Sequence, residues 1–413
     1  SVPIAASTDT THTDTGLNAN TTYSYRVSAQ DASGNMSTYS SALLTTTENV
    51  ATAYDIVITT SGSGSSINSG VFGLSMARAV KFKAVGLGIY VNESNSAEAM
   101  YANVNLSTLR FPGGTVAMAY DPFNDYGELV RFIDFAQDTN VNDVIYVSNL
   151  YSGTIDQTLY TMNEIRNAGL TIVGVELGNE IHLNAYRDLI PTVADYVSVA
   201  EAFRSAIETG NGTYSGFPGM KFGVPVGPSY KDSHAFLESW NASLSSAMSA
   251  GQLDVDAVIP HYYRQTQYCH SSNIASAFEC AVNDMKSNGW SGEQSMEFYM
   301  KYMPDYYEDV FDVNEMWVTE WAVKDAHDLY GNTLWDGQHA FKQLLEFWRG
   351  NADSSIDVTH AHFQIGFSSL TNGWIMTEGA ETPLEASDGF QKSTAYYAFD
   401  FADDFASGGK ILN

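Results

Sequence analysis

The sequence predicts an α/β protein whose main body is a (β/α)8 barrel, a TIM barrel, behind a short all-β N-terminal segment. Three observations point there. From about residue 71 to about residue 405, short apolar and β-branched runs alternate with stretches of helical spacing. Eight such runs occur over about 335 residues, the count a closed barrel needs. No Gly-rich phosphate loop follows the first run, so the runner-up, an open doubly wound sheet, lacks support.

Taken in order, residues 1–47 are rich in Thr, Ser and Asn, and "TYSYRVSAQD" alternates with period two before the turn residues "DASGN". The stretch "LNANTTYSYRVSAQDASGNMSTYSSALLTTT" resembles the second half of a fibronectin type III domain, with Leu17 and Tyr23 where that family places its tyrosine corner. The resemblance covers about 45 residues, and its first strands are missing, so the chain reads as starting inside a module. Its opening has neither a basic nor an apolar leader region. Residues 48–70 read as a linker with one short strand, "YDIVITT", and a Gly/Ser stretch. The barrel strands are expected at "AVGLGIYVN", "LSTLRFPGG", "DVIYVSNL", "TIVGVELGNE", "KFGVPVG", "DAVIPHYY", "EMWVTEW" and "THAHFQIGF". Helical patterns such as "GELVRFIDFAQDT" and "VADYVSVAEAFRSAIETG" lie between them, several ending at Gly or Asn as helix C-caps do. Residues 406–413 form a tail or the first strand of an appended β-sandwich.

Composition narrows the function classes. Hydrophobic residues make up 44% and charged residues 16%, a globular balance, and no apolar run is long enough to span a membrane. The net charge of −29 repels nucleic acid and anionic membranes and suits a secreted protein. Cys269 and Cys280, eleven residues apart in a polar loop, are expected to form one disulfide in an oxidising compartment, the alternative being two buried free thiols. The G-x-S-x-G elbow and the HExxH motif are both absent, which counts against a serine hydrolase and a zinc protease.

Barrel chemistry sits at the C-terminal ends of the strands. The fourth run ends on Asn179 and Glu180, and the seventh carries Glu320 and Trp321. Each Glu closes a strongly apolar strand, where an ionised carboxylate is costly without a purpose. Two facing carboxylates are the minimum equipment for cleaving a glycosidic bond, one donating a proton and the other attacking or activating water. The plainer reading is a pair of loop carboxylates capping the next helices. Asn-Glu on strand four with Glu on strand seven resembles the large clan of retaining (β/α)8 glycoside hydrolases. That resemblance implies Glu180 as acid/base, Glu320 as nucleophile, and Asn179 on the sugar 2-hydroxyl.

Further candidates surround the pair. Arg110 in "LRFPGGT" can hold a carboxylate ionised, and in the clan a strand-two Arg commonly supports the nucleophile. "LRFPGG" is also similar to a motif of heparanase-like enzymes, with Pro112 as a departure. The clan often has a Tyr after strand six whose hydroxyl touches the nucleophile, so the resemblance implies that role for Tyr262 or Tyr263 in "IPHYY", while His261 either binds a sugar hydroxyl or is a core histidine. Asn149 after strand three and Glu93 after strand one are expected sugar contacts, and Trp321, Trp335 and Trp374 are expected stacking platforms. Trp240 and Trp348, inside helical patterns, read as packing residues. His360 and His362 face the same way on strand eight, but no third ligand is evident, so a barrel-interior role outweighs metal binding.

The expectation is a secreted or extracellular bacterial retaining endo-β-glycoside hydrolase, monomeric, needing no metal or organic cofactor. Its expected partner is a polysaccharide, foremost a marine algal galactan of the agar, porphyran or carrageenan type. The alternatives are a heparanase- or glucuronidase-like enzyme, a xylan- or glucan-cleaving hydrolase, and a non-catalytic carbohydrate-binding barrel.

Overall fold

The computed structural model describes residues 12–47 except 19, 65–76 except 67 and 68, 104–227, 235–265, 303–324 except 305, 356–364, and short pieces within 337–348, 367–377 and 390–411. The chain divides into two compact units, Ser1–Ser61 and Gly62–Asn413. In the first, Thr22–Tyr25 pairs antiparallel with Leu43–Thr46. The Tyr23 hydroxyl accepts the backbone N–H of Asn18 at 2.8 Å. Asp31 opens the "DASGN" turn, its Oδ1 accepting the N–H groups of Ser33 and Asn35.

The second unit is a closed (β/α)8 barrel. Its strands are β1 Gly73–Ser75, β2 Thr108–Phe111, β3 Asp143–Val147, β4 Thr171–Glu176, β5 Phe222–Pro225, β6 Ala257–Ile259, β7 Glu315–Lys324 and β8 Asp357–Gln364. Each pairs parallel with the next, and β8 pairs with β1, so the sheet has no open edge. Among the described residues, helices on its outside include α1 Tyr126–Asp138, α2 Ile155–Asn167, α3 Val193–Thr209 and α4 Ala235–Ser249, following β2 to β5 in turn. Thr154 and Thr192 start α2 and α3 with reciprocal capping boxes to Gln157 and Asp195. Trp240 and Trp348 are buried, as packing residues should be. In the tail, Lys410–Ile411 pairs antiparallel with Ser65–Ser66. No helix among the described residues is long and apolar enough to cross a membrane.

One strand assignment is corrected. The place expected for "AVGLGIYVN", residues 84–92, is taken by Gly73–Ser75 in "VFGLSM", which pairs with β8 and β2. This run is short and Gly-interrupted, but a parallel strand buried on both faces needs no alternation. Residues 84–92 and Glu93 lie outside the described residues, as do Trp335, Trp374, Cys269 and Cys280.

Two local irregularities aim side chains into the barrel mouth. After Ile259 the ladder breaks at Pro260, which has no N–H to give, and resumes at Tyr262–Gln265 against the far half of β7. His261 stands in that break. On β7, Thr319 and Glu320, between Val318 and Trp321, face the single residue His362 on β8, between Ala361 and Phe363, a bulge that contains Glu320.

The barrel interior is filled by Ile145, Ala257, Ile259 and Trp317. Gly174 and Gly223 make room for the indole. A Cβ on Gly174 would stand 2.5 Å from Trp317 Cη2, and one on Gly223 2.8 Å from its Cε3. Gly174→Ala is therefore expected to destabilise the barrel by about 1–3 kcal/mol through overpacking. Chemical denaturation would measure it, and an unchanged midpoint would show that the indole can yield.

His360 and His362 lie in the same interior. Their rings stack at 6.2 Å, His360 meets the edge of Trp317, and His362 Nε2 is 2.9 Å from Thr108 Oγ1. Burial pushes His360 down to about 4, against the opposing charge of Glu315, and holds His362 well below the usual histidine range. Both are neutral when folded and take up protons on unfolding. Their contribution is full above the unfolded value near 6.5 and is lost as pH falls toward the folded value. Thermal unfolding is thus expected to show Tm falling by at least several degrees between pH 6.5 and 4. A flat Tm across that window would contradict neutral, buried imidazoles.

Candidate active site

The site forms where β2, β4, β6 and β7 end. Arg110 on β2 is fully buried at its centre. Its Nε and Nη2 each donate to Glu176 at 2.7 Å, Nη1 donates to Glu320 Oε1 at 2.6 Å, and Nη2 also donates to Asn179 Oδ1 at 2.8 Å. Burial opposes the guanidinium charge, but Glu176 and Glu320 more than offset it and raise its proton affinity. The expected ion pair of Arg110 with the strand-seven Glu is present. Glu176, the bidentate partner, was not expected.

The chain leaves β4 at Glu176, earlier than the sequence pattern implies. Gly178 then takes φ +91°, where a Cβ would come within 2.6 Å of Ile181. Glu180 itself adopts φ +45°, a left-handed conformation that costs a non-glycine residue about 1–3 kcal/mol and that clusters at functional positions. This turn lifts Glu180 off the strand while Asn179 stays buried against Arg110. A guanidinium can only donate, so Asn179 must show it Oδ1. Nδ2 is left buried with no well-formed hydrogen bond among the described residues, near the Tyr186 hydroxyl.

Glu320 is held from the opposite side. Its Oε1 accepts from Arg110 and, at 3.0 Å, from the backbone N–H of Gly114, whose φ of +69° suits glycine. Two donors on Oε1 leave Oε2 as the oxygen nearer His261, 3.4 Å from Nδ1. The same Nδ1 is 3.0 Å from Glu180 Oε1. Glu180, His261 and Glu320 each offer an atom within 4.8 Å of the others.

The charges follow from this packing. Burial disfavours the His261 imidazolium, but Glu320 and Glu180 outweigh it and push its pKa up. Burial would raise Glu180, yet the hydrogen bond and charge of His261, with smaller help from His182 and Arg110, pull it down to about 2. Two carboxylates facing one nitrogen thus favour a proton on His261 Nδ1. His182, two residues beyond Glu180, is buried with Nδ1 unpartnered among the described residues, and burial pushes it down to about 4. It is neutral, and the sequence reading missed it. A histidine two positions after a strand-tip Glu was the available signal.

Two expected sugar contacts are corrected. Asn149 is saturated: Nδ2 donates to Tyr120 O and Ser152 Oγ, and Oδ1 accepts from the N–H groups of Tyr151 and Ser152. It builds the turn after β3 and has nothing left for a ligand. Trp321 is 1% exposed and packs on Phe347, Phe363 and Phe399, so it is core and not a platform. The bulge on β7 explains this, since Glu320 turns into the mouth and its neighbour turns out. Tyr262 is buried in the hydrophobic core and pairs in register with Trp321. The side chain of Tyr263 lies outside the described residues. Tyr151, which follows strand three beside Asn149, meets Tyr186 with ring centroids 5.1 Å apart.

The trio of Glu180, His261 and Glu320 is also a donor set that a divalent cation such as zinc accepts. Without a metal, two carboxylates bridged by an imidazolium form a proton-sharing pair suited to acid/base and nucleophilic work.

No family model and no curated protein matches the sequence. Several solved structures are similar in shape. A 4-O-α-L-rhamnosyl-β-D-glucuronidase from Fusarium oxysporum is 13% identical with a TM-score of 0.47, over 84% of this chain and 72% of that one. An endo-1,4-β-xylanase from Penicillium canescens is 11% identical with a TM-score of 0.44, over 82% and 97%. BuGH86, in complex with neoagarooctaose, is 11% identical with a TM-score of 0.43, over 82% of this chain and 59% of that one. The barrel stands on its own strand pairings, and the reading of its site on the side-chain geometry above.

Proposed function

We propose that this protein is a retaining β-glycoside hydrolase with Glu320 as nucleophile and Glu180 as acid/base. One observation carries the reading: carboxylate oxygens of Glu180 and Glu320 lie within 4.8 Å of each other across a single imidazole. Retaining pairs stand about 5–5.5 Å apart, whereas inverting pairs need about 6.5–9.5 Å to admit a water. Glu320 Oε2 would attack the anomeric carbon while Glu180 protonates the leaving oxygen. Glu180 would then deprotonate the water that releases the glycosyl ester. Asn179 Nδ2 supports this reading as a fixed donor for the sugar 2-hydroxyl, a bond that tightens in the oxocarbenium-like transition state.

For substrate we propose an extracellular polysaccharide cut internally, foremost an algal galactan such as agar, porphyran or carrageenan, by a secreted monomer. The net charge of −29 and the fibronectin-like segment agree with such a setting. Residues 1–47, 48–70, 71–405 and 406–413 are proposed as module, linker, catalytic barrel and a tail or further β element.

A panel of agarose, porphyran, carrageenan, heparan sulfate, xylan and β-glucan, scored for new reducing ends, tests the class. At least one is expected to be cut, with the anomeric configuration retained in early products and activity unchanged by chelators. Cleavage of none would favour a binding barrel. Loss of activity to a chelator would give the Glu180, His261 and Glu320 trio to a metal.

A further inference from the structure

We infer that His261 is the proton store of this site: Nδ1 delivers a proton to Glu180 Oε1 when the leaving group departs and takes one back when water attacks. The inference rests on the glycosidase reading. An acid catalyst must start protonated, and the one nitrogen Nδ1 of His261 stands 3.0 Å from Glu180 Oε1 and 3.4 Å from Glu320 Oε2, a place between two acceptor oxygens that suits an N–H donor. The proton that Glu180 needs is therefore on its neighbour. The groups facing the imidazole are Glu180 and His182 from the loop after β4, Glu320 and Thr319 from β7, and Arg110 from β2. Thr319 Oγ1 lies 3.4 Å from Nε2, so the ring is held at both nitrogens with Nδ1 toward the carboxylates.

The proton balance closes in each half-reaction. In the first, the Nδ1–H bond breaks as Glu180 Oε1–H forms, and the Glu180 carboxyl group passes one proton to the glycosidic oxygen. The electron pair of the C–O bond leaves with that oxygen, and Glu320 Oε2 supplies the pair for the new ester bond. His261 ends neutral. Its proton also loses its reason to stay, because the glycosyl ester on Glu320 carries no charge. In the second half, water gives a proton to Glu180, which returns one to Nδ1, and the ester bond breaks as Glu320 regains its charge. Ester formation and ester hydrolysis thus switch the basicity of His261 off and on through Glu320, a group that it touches directly.

His261→Asn tests the store, because Asn sets an amide nitrogen near the place of Nδ1 but does not titrate. Two aryl β-glycosides of the sugar released from the best panel substrate serve as probes. A phenyl glycoside needs a proton on its leaving group and a dinitrophenyl glycoside does not. The variant is expected to lose about 10²-fold or more in kcat/KM on the phenyl glycoside and to stay within a few-fold in kcat/KM on the dinitrophenyl one, since kcat/KM reports the step in which the leaving group departs. The basic limb of its kcat/KM profile is expected to move to lower pH. Equal losses on both probes with an unmoved limb would overturn the store and leave His261 a structural bridge. If the variant does not fold, histidine NMR of the unaltered protein decides. His261 is expected to be protonated at rest and neutral in a trapped fluoroglycosyl intermediate at the pH of turnover, and a protonated imidazole in that intermediate would overturn the inference. The glycosidase reading fails separately, if the unaltered protein cleaves neither the panel nor the aryl glycosides.

Discussion

Glu320→Gln is expected to lower kcat by about 10⁴-fold or more while polysaccharide binding persists. The substitution is nearly isosteric. A glutamine oxygen can still accept from Arg110 Nη1 and from the Gly114 N–H, the two donors that now hold Oε1, so the side chain should keep its place. Lost is the negative charge on Oε2, and with it the nucleophile and one of the two charges that keep His261 protonated. A smaller variant separates roles further. In Glu320→Gly, added azide is expected to attack the face that Glu320 occupied and to give a glycosyl azide of inverted configuration. In Glu180→Ala the covalent intermediate still forms, azide replaces water, and the azide product keeps the substrate's configuration. Azide products of the same configuration from both variants would reverse or abolish the assignment. Unimpaired hydrolysis by Glu320→Gln would remove the nucleophile altogether.

Much of this site was legible because charge is conspicuous in an apolar strand. Arg110 and Glu320 each follow β-branched or apolar neighbours, and Glu180 comes at the end of an otherwise apolar run, and the cost of burying an ion marks such positions. Glu176 bears the same mark but sits four residues before Glu180 in one run. Read as a single strand reaching Asn179, that run offers its carboxylate no partner. Only the early exit at Leu177 and Gly178 shows that Glu176, not Glu180, is the residue in the barrel wall. The errors share a physical origin. Alternation says which way a side chain points only while the ladder is regular. Pro260 breaks it at β6 and the bulge breaks it at β7. His261 thereby became central, and Trp321 was turned into the core. Asn149 failed for another reason, since an Asn after a strand serves a turn as readily as a ligand. The strand count survived because each run is buried on both faces, although the first strand was placed too late in the chain.

Arg110 is where stability and chemistry meet, and its replacement should separate them. Arg110→Met is expected to destabilise the barrel by about 3–5 kcal/mol, because it leaves the Glu176 carboxylate buried with its bidentate partner gone. Arg110→Lys should recover little of that loss, since one ammonium cannot make the fork to Glu176 and also reach Glu320. Adding Glu176→Gln to Arg110→Met removes the stranded charge, so denaturant unfolding should show much of the lost stability restored. Turnover should not return with it. Glu320 would still lack the 2.6 Å donor that orients Oε1, and Asn179 would lose the contact that fixes its amide. Loss of such a preorganised donor costs about 10²–10³-fold in kcat. Recovery of both stability and rate in the double variant would reduce Arg110 to a counterion for Glu176. A stability loss below about 1 kcal/mol in the single variant would mean that Glu176 finds another partner or a proton, and that the two carboxylates do not compete for one guanidinium. Restored stability with persistent inactivity is the outcome that ties the buried network of β2 and β4 to the reactivity of Glu320 on β7.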